Sequence, residues 1–497
     1  MLTLRRILAL FFTTVLALSF LPMNGAETVT LDQAIQRALA KNFSIQVQGY
    51  DASIAAARVT ESLGKFDPVF SGSYNHAENR NPLLTFDTNT GLRNTTRDET
   101  DTYDLGVGGL LPWGMTYRLG GTTTNARGTF NAYADNYDSF AGISGKQPLL
   151  RDFGFGPTLA SIRIARTNRG ISEWQFRQTV MDVITRVTFT YHDLNFALAY
   201  LRSATRSRDL AAGLLAENEK RFKVGSMSKY DVTSARARVA SRQENVITAE
   251  RQVRDTQNLL KQLITDDRTT ALLDEPITIE PPAPAPIVVV DPVADFRIAL
   301  EKRPDYQQAK LSLQRSDINS RLQLNQLLPR VDLVGSYGGN GYDPDRTTCR
   351  QMAQDRDYRS YSWGVVVSVP LTFTTERGRV RAAKLSQRQS ETQLQQVEQA
   401  IVVQVGNAAG QIEATQKRIQ ANRQARELAQ ATLDAEVKRL RVGQSSTFFV
   451  ASQQESLSIA EVREAAALSD YAKALAEYDR QLGVTLEKLH VNLDPPK

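Results

Sequence analysis

Apolar residues recur at seven-residue spacing along two long segments that are otherwise polar and rich in alanine, over about 158–223 and 377–441. Two adjacent lines of such positions run along the second segment: Leu394, Ile401, Ala408 and Thr415, beside Val405, Ile412 and Ile419. This spacing is typical of helices that pack side by side, and the alanines allow close approach. At about 1.5 Å per residue, each predicted helix is on the order of 100 Å long.

Both long segments end in a similar short break, which reads RFKVGSMSKYDV at 221–232 and RLRVGQSSTFFV at 439–450. Gly225 and Gly443 lie where each helix must end, and glycine tolerates the left-handed conformation of a helix cap. Ser228 and Ser446 (or Thr447) can cap the helix that follows. Each break therefore predicts the tip of a helical hairpin.

The two breaks belong to a duplication of the whole chain, because 38–74 aligns with 299–337. The proline-rich segment 275–292 predicts an extended linker between the halves. The prediction is a signal peptide followed by two repeats joined by that linker: 1–26, then 27–274 and 293–490. Each repeat contains a helix, strands and a coiled-coil hairpin, with strands over 66–147 and 330–371 and hairpins over 158–264 and 377–486.

The predicted strands alternate apolar residues with small polar ones. In YSWGVVVSVPL (361–371) and FDPVFSGSYNH (66–76), one face carries aromatic and branched side chains and the other carries mostly serine, glycine and asparagine. This alternation fits strands of a transmembrane β-barrel, and it equally fits a soluble sandwich. Four strands per chain, two from each half, cannot close a barrel, and open edges are excluded in lipid. If the strands lie in a membrane, the protein must oligomerise.

Composition narrows the function classes. Arg5 and Arg6 precede an apolar run from Ile7 to Leu21, which is the layout of a secretory signal and predicts an exported chain. The single cysteine and three dispersed histidines do not predict a metal site. The net charge of +6 is spread rather than clustered, which does not favour nucleic-acid binding. No nucleophile stands beside a base, so we expect no catalytic residues, no cofactor and no enzymatic activity.

The chain resembles the TolC-like outer membrane efflux proteins. The resemblance rests on LDQAIQRALAKN near the start, on the junctions KQPLLRDFG and VPLTFTTERGRVRAA, and on the paired R-x-x-V-G tips, and it covers nearly all of the chain after 1–26. It implies a mainly α protein with a transmembrane β-barrel. Three copies of four strands would form a 12-stranded barrel in outer-membrane lipid, continued by a 12-helix tunnel through the periplasm.

The resemblance also implies partners. It predicts a homotrimer that serves as a passive exit duct of a tripartite efflux or type I secretion system. Its tips would meet a periplasmic adaptor attached to an inner-membrane pump. The tip residues are Arg221, Val224, Gly225 and Ser226, with Arg439, Val442, Gly443 and Gln444.

Members of that family often narrow the periplasmic mouth with acidic residues just after the second tip. Here Phe449 and Ser452 hold those positions, and Asp231 occupies the matching place after the first tip. Phe449 either forms an apolar constriction or packs between helices. These three residues are the candidate aperture.

Two further expectations concern the strands and their loops. The segment 101–125 predicts an additional pair of strands, which either enlarges the trimer to 18 strands or lies outside the barrel wall. The polar segments 77–100 and 340–358 predict external loops, with Cys349 accessible to reagents outside the cell. The alternative function is a periplasmic coiled-coil scaffold with a soluble β-domain. The sequence does not identify a substrate.

Overall fold

The computed structural model describes residues 28–86, 93–270, 273 and 277–491. The predicted signal segment 1–26 lies outside these residues, as does the start of the predicted linker. The described residues form two compact units. One comprises the residues up to Phe43, together with Val183–Val289 and Gln411–Glu477, and the other comprises Ser44–Asp182, Val290–Gly410 and the residues from Tyr478 onward.

The helices of the two halves follow the same order, except that the second half has one additional helix between its strands. The first half contains α1 (Leu31–Lys41), α2 (Phe43–Leu63), α3 (Ala160–Lys223) and α4 (Lys229–Ile264). The second half contains α5 (Pro292–Lys302), α6 (Pro304–Gln326), α7 (Arg346–Asp355), α8 (Thr374–Arg441) and α9 (Thr447–Leu482). Within the described residues, no helix is both long enough and apolar enough to cross a membrane.

The duplication extends to backbone conformation. Asn42 separates α1 from α2 with φ −66° and ψ 124°, and Arg303 separates α5 from α6 with φ −66° and ψ 126°. Each break is fixed by its side chain. The amide of Asn42 donates to the carbonyl oxygen of Leu263 at 2.9 Å, and the guanidinium of Arg303 contacts Asp305, Gln404 and Gln481.

The apolar residues at seven-residue spacing form a packed seam along α8. Ile401, Val405, Ile412 and Thr415 are each at most 1% exposed, and Ala408 is also buried. The Thr415 hydroxyl donates to the carbonyl oxygen of Gln411 at 2.7 Å, which satisfies its polar group within the helix. The prediction of helices packed along this seam is confirmed.

The strands are more numerous than the expected four. The larger sheet contains β2 (Val69–Phe86), β3 (Arg93–Leu110), β4 (Thr116–Gly128), β5 (Tyr137–Pro148), β7 (Arg330–Asp343) and β8 (Tyr358–Ser368). They form one antiparallel sheet in that order. The first half therefore contributes four strands and the second half two, so the expectation of two from each half is wrong.

A small parallel pair fixes the predicted linker. Two-residue strands β1 (Thr28–Val29) and β6 (Thr278–Ile279) pair in register. The hydroxyl of Tyr191, on α3, donates to the carbonyl oxygens of Val29 and Glu280 at 3.1 and 2.6 Å. The linker is extended at this point, and it lies against the helices of its own unit.

The segments predicted as external loops are mostly regular structure. β2 and β3 pair from Val69↔Gly108 to Pro82↔Thr95 and again at Phe86↔Arg93, so the described part of 77–100 lies in two paired strands. The segment 340–358 contains α7, which the sequence analysis did not predict. Its Cys349 is fully buried, and the thiol lies 3.1 Å from Ser139 Oγ, so the expectation of an accessible thiol is wrong.

Candidate functional sites at the hairpin tips and on the sheet

The first tip is a closed helix cap centred on Gly225. The amide of Ser226 donates to the carbonyl oxygen of Arg221 at 2.9 Å, and the amide of Gly225 donates to that of Phe222 at 3.0 Å. These are the two bonds of a Schellman motif, which requires a left-handed residue at the position of Gly225. Gly225 has φ +74°, so glycine ends α3 without strain.

The second tip repeats this geometry around Gly443. The amide of Gln444 donates to the carbonyl oxygen of Arg439 at 2.9 Å, and the amide of Gly443 donates to that of Leu440 at 3.1 Å. Gly443 has φ +81°. The predicted glycine breaks therefore adopt the predicted left-handed caps, and sequences that differ in most positions form the same turn.

Each tip presents a bare apolar side chain. Val224 is 77% exposed and Val442 is 70% exposed, although each directly follows a long packed helix. Arg221 pairs with Glu217 at 2.9 Å and Arg439 with Glu436 at 3.3 Å, which partly neutralises the basic last turns. An added β-carbon on either glycine would meet no atom within 4 Å. The tips are therefore unobstructed in this chain.

The candidate aperture residues have different surroundings. Asp231 forms a capping box with Ser228, whose hydroxyl donates to the Asp231 carboxylate at 2.6 Å. Phe449 is exposed and lies with its ring edge against Phe448, at 5.6 Å between ring centroids. Ser452 is exposed and lines a groove between the two hairpins. The structure does not bring Asp231 into contact with the other two.

Phe448 and Arg238 are contact residues that the sequence analysis missed. The Arg238 guanidinium lies 4.8 Å from the centre of the Phe448 ring, which joins α4 to the start of α9. Arg242 pairs with Glu455 at 2.9 Å, one turn farther along α4 and two turns farther along α9. The signal in the sequence was the adjacent pair Phe448-Phe449. Two consecutive helical residues point in different directions, so the two rings cannot both pack against the same neighbour.

The larger sheet carries an apolar row that crosses all six strands on one face. Register pairs connect its members in sequence: Phe70, Val107, Leu119, Ile143, Tyr337 and Tyr361. Each of them is between 38% and 77% exposed in the isolated chain. A continuous exposed apolar band is a liability in water, and it is the pattern of the lipid-facing surface of a barrel.

The opposite face of the sheet is polar. Ser71, Arg118 and Asp104 form a connected group there, with Arg118 donating to the Ser71 hydroxyl at 3.0 Å and pairing with Asp104. Ser336 and Ser362 contact each other on the same face at 2.8 Å. The two faces therefore match lipid on one side and water on the other.

A family model described as outer membrane efflux protein matches residues 34–265 and 296–484. The chain belongs to the outer membrane efflux protein family. The two matched ranges correspond to the two repeats and together cover most of the chain. No curated protein sequence matches the chain significantly.

Solved structures of outer-membrane channels share the fold of this efflux protein. It is similar to the outer-membrane channel OprN, with 18% identity, a TM-score of 0.69, and coverage of 91% of this chain and 89% of that one. For the Campylobacter jejuni CmeC outer membrane channel the identity is 15%, the TM-score 0.68 and the coverage 93% and 90%. For the open state of the Neisseria gonorrhoeae MtrE outer membrane channel these values are 17%, 0.64, and 92% and 89%.

Family membership confirms the predicted class. The efflux protein is a mainly α, TolC-like channel with a transmembrane β-barrel, located in the outer membrane and extending into the periplasm. It is the outer-membrane component through which efflux systems discharge their substrates. The alternative of a soluble coiled-coil scaffold does not fit this family.

Proposed function

We propose that three copies of this efflux protein form one passive duct, and that the two tips of each copy dock a periplasmic adaptor attached to an inner-membrane pump. The observation that carries the docking role is the pair of closed tips with exposed Val224 and Val442. The glycine cap alone is enough to end the helix, so an exposed valine beside it adds no stability to the turn. The matching geometry of the two tips supports one kind of partner for both.

The proposed docking surface comprises the residues around each glycine cap: Arg221, Val224, Gly225 and Ser226, with Arg439, Val442, Gly443 and Gln444. Their backbone hydrogen bonds are satisfied within the cap, so the surface is rigid before a partner binds. The partner contributes shape matching to the valines and charge pairing to the basic last turns.

We further propose that Asp231, Phe449 and Ser452 line the periplasmic aperture. Phe449 and Ser452 support this role by their exposure in the isolated chain. Asp231 contributes a carboxylate that also caps α4. This arrangement would combine an apolar constriction with a negative charge.

The docking role is tested with Gly225→Asp and Gly443→Asp, beside Gly213→Asp as a matched control. All three glycines have open space around an added β-carbon, but Gly213 lies within α3, away from the tip. The left-handed backbone adds a cost of about 1 kcal/mol at the tips, which a long helical hairpin absorbs. We expect both tip variants to reach the outer membrane as trimers and to lose export, whereas the control retains export.

Parallel loss of trimer and export in the tip variants would leave the docking role without support. Restoration of export by a second-site change in the adaptor would strengthen it. The trimer is tested separately by chemical crosslinking in mild detergent, where the ladder should end at three copies. A folded, monodisperse monomer would contradict the trimer.

A further inference from the structure

The additional strands β3 and β4 lie inside the sheet of each chain. β3 pairs with β2 along one side and with β4 along the other, and β4 pairs with β5 from Thr116↔Lys146 to Asn125↔Tyr137. Both strands therefore have a hydrogen-bonded neighbour on each side. Moving them out of a barrel wall would require two ladders to break, β2 with β3 and β4 with β5.

The apolar row passes through the additional pair without interruption. Val107 on β3 and Leu119 on β4 are register partners, and they continue the row between Phe70 on β2 and Ile143 on β5. Leu119 is 60% exposed. If the additional pair lay outside the wall, nothing would require its apolar residues to stay in register with the lipid-facing row of the wall.

A row of glycines crosses the same strands on the polar face. Gly106, Gly120, Gly142 and Gly338 are successive register partners on β3, β4, β5 and β7. A β-carbon on Gly120, Gly142 or Gly338 would come within 2.3–2.5 Å of a carbonyl oxygen on the neighbouring strand. These positions therefore require glycine, as do positions of close backbone approach in curved barrel walls. The glycine row includes the additional pair.

The two edges of the sheet are complementary. β2 and β8 are the outer strands, and within the described residues neither has a partner on its outer side. Six antiparallel strands leave these two edges running in opposite directions, so β8 of one copy can pair antiparallel with β2 of the next. Unpaired edges have no stable place in lipid, and a second copy supplies the required partner.

We propose that all six strands of each chain enter the barrel wall, so that three copies close an 18-stranded barrel through contacts between β8 and β2. This inference rests on the proposed trimer. It differs from the 12-stranded barrel that the family resemblance implied. Width follows from strand number, because strands lie about 4.8 Å apart and tilt by about 40°. A wall of 18 strands is then about 36 Å across between backbones, against about 24 Å for 12.

The width is measured by electron–electron distances between spin labels on equivalent residues. Ser362→Cys on β8 carries the label, and Cys349→Ala removes the native thiol. In a threefold ring the distance between equivalent backbone positions is about 31 Å for 18 strands and about 21 Å for 12. We expect the longer distance in the purified trimer. A trimer that gives the shorter distance overturns the 18-stranded wall and leaves the duct intact.

Disulfide trapping tests the order of strands independently. Asn75 on β2 is the register partner of Thr102 on β3, and Asp138 lies on β5 in the same row. We expect Asn75→Cys with Thr102→Cys to form a disulfide and Asn75→Cys with Asp138→Cys to form none. A disulfide between β2 and β5 would place the additional pair outside the wall. Absence of a trimer in native mass measurements would instead overturn the proposed oligomer and the 18-stranded wall together.

Discussion

Ser228 and Asp231 cap the first turn of α4 by reciprocal hydrogen bonds. The amide of Asp231 donates to the Ser228 hydroxyl oxygen at 3.2 Å, and the amide of Ser228 donates to the Asp231 carboxylate at the same distance. The carboxylate proposed for the aperture is thus already engaged at a helix end. Its charge and its capping contacts can be removed separately.

Asp231→Asn keeps an acceptor for the cap and removes the charge, whereas Asp231→Ala removes both. We expect the alanine variant to lose about 1 kcal/mol of hairpin stability and the asparagine variant to lose less. If the carboxylate lines the aperture, both variants should reduce cation selectivity equally in planar bilayers. Unchanged selectivity in the asparagine variant would assign Asp231 to capping alone.

The two phenylalanines after the second tip should respond differently to truncation. Phe448→Ala removes the ring that packs beneath Arg238, and we expect a loss of about 0.5–1 kcal/mol, measured as a lower denaturation midpoint. Phe449→Ala should leave this midpoint nearly unchanged and raise single-channel conductance, because its ring would narrow the aperture. A lower midpoint with unchanged conductance in the Phe449 variant would make it a packing residue.

Cys349 should not react with a membrane-impermeant maleimide on intact cells, because its thiol is buried between α7 and the sheet. Gly341→Ala is the matching variant, in which we expect the same thiol to become exposed. A β-carbon there would lie 1.8 Å from the Cys349 carbonyl oxygen, so α7 must move away from β7. We expect labelling to appear in this variant, as measured by a mass shift. Rapid labelling of the unmodified protein would contradict the position of α7.

Folding of the sheet should depend on the glycine row more than on other strand glycines. In Gly120→Ala, the added carbon would lie 2.3 Å from the Leu105 carbonyl oxygen. In Gly364→Ala on β8, the nearest neighbouring atom would be a methyl group of Val334 at 3.7 Å, an ordinary contact. We expect the first variant to yield far less heat-modifiable trimer on gels and the second to resemble the native protein. Equal yields would argue against a close approach of the two backbones at this row.

Protonation of His192 should destabilise the compact unit that contains Val183–Val289 as the pH falls. Burial lowers the pKa of its imidazole, and Lys473 lowers it further against the opposing effect of Asp193. The unfolded chain therefore takes up a proton more readily, so stability present above about pH 6.5 is lost as the pH falls through the folded-state pKa. We expect the denaturation midpoint to fall more between pH 7.5 and pH 5.5 in the native protein than in His192→Gln. The same fall in both would exclude His192 as the cause.

The elements governed by local chemistry were predictable from the sequence. The tips followed from Gly225 and Gly443, because few residues other than glycine adopt a left-handed cap, and the α8 seam followed from its seven-residue spacing. Helix α7 was not predictable in the same way. Its ten residues are mostly polar, and its buried Cys349 and Ala353 approach β7 where Gly339 and Gly341 leave room for the helix.

The placement of the additional strands depended on pairing between distant segments. Alternation in 101–125 indicated strands, but alternation does not specify a neighbour. The neighbour of β5 in the second half is β7, nearly 200 residues later in the chain. The aperture residues share this difficulty, since their role depends on copies of the chain that a single sequence does not place.

The position of β3 and β4 between β2 and β5 also limits how such a channel can change in evolution. A hairpin inserted there returns the chain to the side of the membrane from which it left, so the helices that follow keep their direction. A single inserted strand would deliver α3 to the cell exterior and destroy the duct. Barrel circumference can therefore grow only in steps of two strands per subunit if the helices are to stay on the periplasmic side.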